Sequence, residues 1–230
     1  MNDFVDAFRF IGDNTALLWQ LTLDHLALSG AAVGIALMLG IPLGVILGHA
    51  HRGSFAAINV SNVGRALPSL AVISIGLGLL GVGFTNVMVA LVILAAPVML
   101  TNAYVAVDRV DEDAVSAARA MGMKPRQVLL RVELPLALPL MFAGIRTAAV
   151  YVVATAPLAA LAGGGGLGDI IVNQPTYGPE GVVAGSMAIA ALAFATEGVF
   201  ALLQYVVTPR GLRKRGKEPL LEPTMGTAAA

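Results

Sequence analysis

Long stretches without a charged residue constrain this chain more than any other feature of its sequence. The longest has 42 residues, from Ala66 to Val107. A helix of about 20 apolar residues crosses about 30 Å of hydrocarbon, so this run provides two crossings, divided at the turn-like residues 81–83. In the whole chain 57% of residues are hydrophobic and 12% are charged, with a mean hydropathy of +0.83. The sequence therefore predicts an all-α integral membrane protein.

Apolar segments of membrane-spanning length occur five times. They lie at residues 26–47, near 66–80 and 84–107, and at 136–161 and 181–207. The first of them contains glycines suited to close helix packing in lipid, at Gly30, Gly34, Gly40, Gly44 and Gly48. Three regions follow from these spans: an extracytoplasmic N-terminal segment (1–20), a transmembrane domain (21–207) and a disordered cytoplasmic tail (208–230).

The positions of lysine and arginine predict the orientation of the chain, because cytoplasmic loops are enriched in these residues. Arg9 lies before the first span and Arg146 lies within the fourth. The remaining basic residues fall on one side, at Arg52, Arg65, Arg109, Arg119, Lys124, Arg126, Arg131 and five positions of the tail. We therefore expect a multi-pass membrane protein with its N-terminus outside and its C-terminus inside.

A polar segment from Arg109 to Pro135 interrupts the apolar spans and is predicted to lie in the cytoplasm. Within it, small apolar residues recur at helical spacing, at Val110, Ala114, Ala117, Ala118 and Met121. Gly122 indicates the end of this helix, Pro125 the first turn of a second, and Pro135 a break before the next span. The helix taken alone fits either a solvated connector rich in alanine or a surface for a soluble partner.

The same segment carries a spaced motif: Ser116-Ala117-Ala118, three residues, Gly122, nine residues, then Val132-Glu133-Leu134-Pro135. It resembles the signature of ABC-importer permeases, Glu-Ala-Ala, three residues, Gly, nine residues, Ile-x-Leu-Pro. Ser116 stands in place of the usual acidic residue, and Val132 in place of isoleucine. Residues 65–71 (RALPSLA) and 164–169 (GGGLGD) resemble the subfamily that imports glycine betaine, carnitine, choline and related osmoprotectants. The resemblance covers roughly residues 21–207.

This resemblance implies a type I ABC importer permease fold, with a cytoplasmic coupling helix between the third and fourth of five transmembrane helices. It also implies a location in the cytoplasmic or inner membrane of a prokaryote. The implied partners are a cytoplasmic ABC ATPase dimer, an extracytoplasmic substrate-binding protein, the lipid bilayer and a second permease subunit, identical or similar. The chain has no Walker motif, so ATP and magnesium are expected on the ATPase, and this chain is expected to be neither an enzyme nor a cofactor-binding protein. The residues expected to couple to the ATPase are Ser116, Ala117, Ala118, Gly122, Val132, Leu134 and Pro135.

The loop at residues 163–181 contains five glycines before Asp169, and prolines at positions 175 and 179, which prevent a continuous helix. A passive linker is one interpretation. The other is an outer gate at the mouth of the pathway, formed by Gly164, Gly165, Gly166, Gly168 and Asp169.

Two ionisable residues within the spans, Arg146 and Glu197, are costly there and need partners or a function. Arg146 either extends to the cytoplasmic face or lines the pathway. Glu197 balances Arg146, accepts hydrogen bonds between helices, or lines the route of a cationic substrate. The aromatic residues Tyr104, Phe142 and Tyr151 either line a low-affinity pathway or pack between helices, since 6% aromatic residues are too few for a tight quaternary-ammonium cage.

The composition also excludes several classes of protein. Zero cysteines exclude disulfides and thiol chemistry, the three histidines lack metal-binding spacing, and the balance of 14 basic and 14 acidic residues gives no nucleic-acid footprint. Two alternatives to an osmoprotectant permease stay open: an importer of another small polar solute such as an amino acid, and a secondary transporter or channel that uses Glu197 as its ion-coupled group.

Overall fold

The computed structural model describes residues 3–209, and every regular element in that range is a helix. The α-helices are α1 (Asp3–Asp13), α2 (Thr15–His49), α3 (Ser54–Ala66), α4 (Ser69–Leu80), α5 (Phe84–Asp108), α6 (Glu112–Ala120), α7 (Pro125–Val128), α8 (Leu134–Thr155), α9 (Gly168–Val172) and α10 (Gln174–Val207). A π-helical turn (Leu129–Glu133) precedes α8, and a 3₁₀ segment (Ala156–Ala162) follows it. Within the described residues, four helical segments are long and apolar enough to cross a membrane: Thr15–His49, Phe84–Asp108, Pro125–Ala162 and Gln174–Val207.

The α2 and α5 helices form the most extensive helix pair of the protein, and glycine makes it possible. A Cβ at Gly40 would lie 2.8 Å from the carbonyl oxygen of Ala96, and a Cβ at Gly48 would lie 2.8 Å from that of Tyr104. At Gly44 the added atom would overlap the carbonyl oxygen of Leu100. From each of these contacts to the next, the residue number rises by four in both helices, so α2 and α5 run parallel. Their backbones lie so close together that only glycine fits at these positions of α2. The predicted packing glycines Gly30 and Gly34 have nothing within 4 Å of such a Cβ.

The parallel arrangement of α2 and α5 requires the intervening chain to return along the bundle. At one end, His51 Nδ1 lies 3.0 Å from Asp108 Oδ1, and at the other end the N–H of Gly83 donates to the carbonyl oxygen of Ala162 at 2.7 Å. The return consists of α3 and α4, separated by extended backbone at Leu67 and Pro68.

The segment predicted to span the membrane near residues 66–80 is therefore a helix of 12 residues that begins at Ser69. Proline has no N–H and disfavours a helical conformation at the preceding residue, which explains the break at Pro68. At about 1.5 Å per residue, 12 residues cover about 18 Å, less than the hydrocarbon thickness.

The polar segment forms a helix, a turn and a second helix, as its sequence predicts. The α6 helix ends in a Schellman motif: Gly122 N–H bonds to the carbonyl of Arg119, and Met123 N–H to that of Ala118. Gly122 has φ +82°, a conformation that strongly favours glycine. The predicted break at Pro135 is wrong. The helix continues into α8 through the π turn, in which Leu134 N–H bonds to the carbonyl of Leu129, because proline is tolerated in the first turn of α8.

The ends of the bundle also differ from the sequence expectation. The first long helix begins at Thr15 rather than Leu26, so the expected N-terminal segment contains α1 and the start of α2. The last begins at Gln174 rather than Gly181 and has a kink at Gly178, where φ is +68°. The Phe10 and Tyr177 rings, 6.4 Å apart, meet edge to face where α1 packs on α10. The predicted tail lies outside the described residues from position 210 onward.

Candidate functional site

The α6 helix is stabilised at its start by a side-chain cap. Asp111 Oδ1 accepts hydrogen bonds from the N–H groups of Asp113 at 2.9 Å and Ala114 at 3.4 Å. The acidic residues Glu112 and Asp113 occupy the first turn, where negative charge is favourable. These local features explain why so polar and short a segment is helical.

One side of α6 packs on α7 and the π turn, and the other is open. Val115, Ala118 and Val128 form a small buried cluster, and Val132 packs against it. Ala117 is exposed and Met121 is 76% exposed, so the predicted apolar stripe is only partly correct. Val115 and Ala118 are the buried residues of α6, and they lie on one face of the helix. Ala117 is two residues from Val115, which places it on the opposite, exposed face.

The seven predicted coupling residues lie at two connected places. Ser116, Ala117, Ala118 and Gly122 belong to α6 and its turn, with Ser116 exposed beside Ala117. Val132 belongs to the π turn, and Leu134 and Pro135 begin α8, where Leu134 packs on a second buried cluster. The nine-residue spacing of the motif thus joins an exposed helix firmly to a long apolar one.

Sequence reasoning missed a buried carboxylate beneath α6. Glu133 is 1% exposed, and its Oε2 accepts a hydrogen bond of 2.6 Å from Nδ1 of His49, the last residue of α2. A cavity of about 280 Å³ lies beside it, lined by His51, Val107, Val110, Glu112, Val115, Ser116, Arg119 and Glu133. The available signal was the acidic residue inside an otherwise apolar part of the motif.

The glycine-rich segment at the other end is a packed turn rather than an open loop. Gly163, Gly165 and Gly166 have φ values of +72°, +74° and +85°, and Gly164 N–H bonds to the carbonyl of Ala159 at 2.8 Å. Leu167 and Ile170 are fully buried directly after it. These glycines permit a tight reversal that larger residues would strain.

The turn contacts three other parts of the bundle. A Cβ at Gly166 would lie 3.3 Å from His25 of α2, and one at Gly164 would lie 2.9 Å from Val87 of α5. At Gly168 an added Cβ would overlap the carbonyl oxygen of Pro157 in the 3₁₀ segment. Burial raises the pKa of the Asp169 carboxyl above its ordinary range, and the nearby charge of Asp24 raises it further.

Arg146 and Glu197 lie side by side, as the ion-pair alternative predicts. Arg146 Nε is 3.1 Å from Glu197 Oε1, and Arg146 also donates from Nη1 to Oε1 of Gln204 at 3.3 Å. Gln204 in turn donates from Nε2 to the carbonyl of Pro139 at 2.9 Å. The group holds α10 against α8.

The three aromatic candidates occupy different environments. Tyr104 is buried in α5 and Phe142 is half-buried in α8. Tyr151 is 39% exposed and lines a cavity of about 400 Å³ together with Gly64, Leu94, Val98 and Thr147. Of these three, Tyr151 is therefore the one whose ring is accessible from an open cavity.

Comparison with known proteins places these features in context. The family described as "Binding-protein-dependent transport system inner membrane component" matches residues 40–214. The "Glycine betaine/carnitine/choline transport system permease protein OpuCB" of Bacillus subtilis (strain 168) is 36% identical over 205 residues, covering 89% of this chain and 94% of the relative. The "Choline transport system permease protein OpuBB" of the same organism is 34% identical over 207 residues, covering 90% and 95%.

Solved structures show the same fold. A chain of the inward-facing MetNI methionine ABC transporter superposes with a TM-score of 0.73 at 22% sequence identity. The superposition covers 85% of this chain and 98% of that chain. A sequence identity of 22% with this similarity of structure shows a shared fold, but it does not indicate which solute is transported.

Proposed function

Because the chain belongs to the family of inner membrane components of binding-protein-dependent transport systems, we propose that it imports a quaternary-amine compatible solute. Glycine betaine, choline and carnitine are the candidates, and the chain would form their translocation pathway as the permease subunit of an ATP-driven importer. The observation that carries this proposal is 34–36% identity, over about 90% of the chain, to two permeases named for these solutes.

We propose five membrane crossings, with α3 and α4 together forming the second. The parallel packing of α2 and α5 supports this, because residues 50–83 must connect one end of the bundle to the other. Arg65, near the end of α3, then lies within this crossing rather than in a cytoplasmic loop. The end that carries α6 also carries most of the loop arginines and lysines, which supports a cytoplasmic location for it and an external location for the N-terminus.

The α6 helix is proposed to dock on a cytoplasmic ATPase dimer that holds ATP and magnesium. A coupling element must be exposed to its partner and rigidly attached to the membrane helices. The exposed residues Ser116, Ala117 and Met121 provide the first property, and the buried contact of Val132 with the α6 cluster provides the second. A second permease subunit would complete the pathway.

The outer turn is proposed as the gate. Gly164, Gly165, Gly166 and Gly168 would act as its hinge, and residues 169–180 would present a surface to an extracytoplasmic substrate-binding protein. Its contacts with α2, α5 and the 3₁₀ segment support this role, since movement there changes the packing of several helices at once. Tyr151 would offer a low-affinity aromatic face to a quaternary ammonium group on its way through.

Reconstituted transport tests the proposal. The permease, its ATPase and its binding protein are placed in liposomes, and uptake of radiolabelled choline, glycine betaine, carnitine and methionine is measured. We expect uptake of at least one quaternary amine that requires both internal ATP and external binding protein. Uptake of methionine alone would assign the chain to amino-acid import. Uptake driven by a proton or sodium gradient without ATP would contradict the importer mechanism.

A further inference from the structure

The buried carboxylate of Glu133 has one oxygen without a partner. Oε2 accepts a hydrogen bond from His49, but Oε1 has no hydrogen-bond donor among the described residues. A carboxylate that is 1% exposed has lost its hydration, and this loss is compensated only when donors reach its oxygens. Glu133 therefore needs a donor that the other described residues do not supply.

The neighbouring cavity could admit such a donor. Glu112 and Ser116 lie four residues apart on α6, and both line the cavity together with Glu133. Arg119 also lines the cavity, yet in the described part of the chain no ion pair joins it to Glu112 or Glu133. Two carboxylates and a hydroxyl are thus available as acceptors.

The apolar residues that line the cavity indicate which kind of hydrogen-bond donor fits there. Val107, Val110 and Val115 give the cavity an apolar wall. A magnesium ion usually keeps several waters of its octahedral shell, and the valine side chains of this wall offer those waters no hydrogen-bond acceptor. A lysine or arginine side chain has an apolar stem that can pack on valines and a charged end that can reach a carboxylate.

We propose that this cavity receives a lysine or arginine side chain of the ATPase that docks on α6, and that Glu133 is its acceptor. The inference rests on the proposed coupling role of α6. Because Glu133 is also bonded to His49, the arriving cation would be connected directly to the end of α2 as well as to α8. The cavity then provides a second contact with the ATPase beside the exposed face of α6.

The test measures binding of the purified ATPase to the full-length permease in lipid nanodiscs at low and high salt. Glu133→Gln keeps the size of the side chain and can still accept a hydrogen bond from His49, but it removes the charge. We expect ATPase binding to weaken by at least about tenfold, as for the loss of one partner of a buried charge pair. We also expect the binding of this variant to depend less on salt.

Two further variants serve as controls. Asp13→Asn removes an exposed carboxylate at the other end of the bundle that does not line the cavity, and it should leave ATPase affinity unchanged. Glu112→Gln changes an exposed residue of the cavity rim and should weaken binding by a smaller factor. If Glu133→Gln lowers the thermal stability of the isolated permease, the ATPase affinity of Glu112→Gln becomes the test of the inference.

The outcomes separate this inference from the proposed function. If the wild-type permease does not bind the ATPase, the coupling role itself is wrong. If the wild type binds and the Glu133→Gln and Glu112→Gln variants keep its affinity and salt dependence, only the cavity inference is overturned. A rise in the thermal stability of the isolated permease with magnesium or potassium, lost in Glu133→Gln, would assign the cavity to an inorganic ion and also overturn it.

Discussion

Arg146 Nε lies 3.1 Å from Glu197 Oε1, so an ion pair joins the middle of α8 to α10. The two side chains are 35% and 43% exposed, which places the pair at the surface of the isolated subunit. Each charge would be costly alone in a membrane helix, and the partner makes both tolerable. The arrangement also gives Glu197 a structural role, which weakens the hypothesis that it carries a coupling ion.

Neutralising one member of this pair should therefore be worse than neutralising both. A double-mutant cycle with Arg146→Gln and Glu197→Gln, read by thermal unfolding in nanodiscs, should give a coupling energy of about 1 kcal/mol, typical of polar contacts between membrane helices. The water-exposed pair Arg9 and Asp6 is the control, and its coupling should be smaller. Strictly additive single variants would show that Arg146 and Glu197 do not interact.

The proposed crossing of α3 and α4 can be tested by labelling, because the chain has no cysteine. Arg52 and Val82 are exposed residues on either side of these helices. Arg52→Cys should react with a membrane-impermeant maleimide only after the cells are opened, while Val82→Cys should react in intact cells. Reaction of both from one side would mean that α3 and α4 enter and leave the membrane on the same side.

For uncharged residues, the backbone conformation at Gly122, and not the volume of the new side chain, should decide which substitutions are tolerated. A Cβ at this position meets nothing within 4 Å, but φ is +82°. Left-handed backbone costs an ordinary residue about 1–2 kcal/mol, and asparagine tolerates it best. Gly122→Asn should therefore retain more ATP-dependent uptake than Gly122→Val at equal amounts in the membrane.

Gly122→Glu adds a charge to the proposed docking surface as well as backbone strain. It should therefore uncouple uptake from ATP hydrolysis while membrane insertion stays normal. Wild-type uptake and substrate-stimulated ATPase activity in Gly122→Glu would contradict the docking role of α6.

The outer turn offers two glycines with different requirements. An added Cβ at Gly168 would overlap a backbone oxygen of Pro157. One at Gly165 would meet only Asp169 at 4.0 Å, so alanine there costs about the 1–2 kcal/mol of a left-handed backbone. Gly168→Ala should therefore slow uptake much more than Gly165→Ala, at saturating binding protein and equal complex levels. If both variants transport at the wild-type rate, the turn is only a connector.

Asp169 should make stability depend on pH in a specific direction. Its pKa is raised in the folded protein by burial and by Asp24, so the fold favours the protonated form. The unfavourable contribution is present at neutral pH and disappears as the pH falls through the raised pKa toward the ordinary value of 3.8.

The Asp169→Asn variant should therefore be more stable than the wild type at neutral pH, and the difference should shrink in acid. Thermal unfolding across this range measures it, with the exposed Asp13→Asn as a control. A difference that grows as the pH falls would contradict the assigned cause.

The sequence predicted the class of fold and the helix-turn-helix segment because both depend on local signals. Uncharged runs reveal membrane helices, and Gly122 and Pro125 mark the turn in their usual positions. Helix bounds were less accurate. The short α4 and the early start of α2 depend on Pro68 and on contacts made after folding, which hydropathy does not register.

The candidate site was predicted where it depends on spacing and missed where it depends on distant contacts. The motif located Ser116 through Pro135, but it could not show that His49, separated by 84 residues, reaches Glu133. The sequence likewise allowed several roles for Arg146, and the packing of α10 beside α8 in the structure identifies Glu197 as its partner. Side-chain pairing across a bundle depends on helix rotation, which one sequence specifies poorly.

The glycine contacts between α2 and α5 have a consequence for how the protein is made. The chain is synthesised from its N-terminus, so α2 enters the bilayer before its principal partner has emerged from the ribosome. Until residues 96–104 arrive, the backbone at Gly40, Gly44 and Gly48 faces lipid or a membrane chaperone instead of α5. Insertion of α2 must therefore rely on its hydropathy rather than on contacts with α5, and the helix pair can form only after α5 has been inserted beside it.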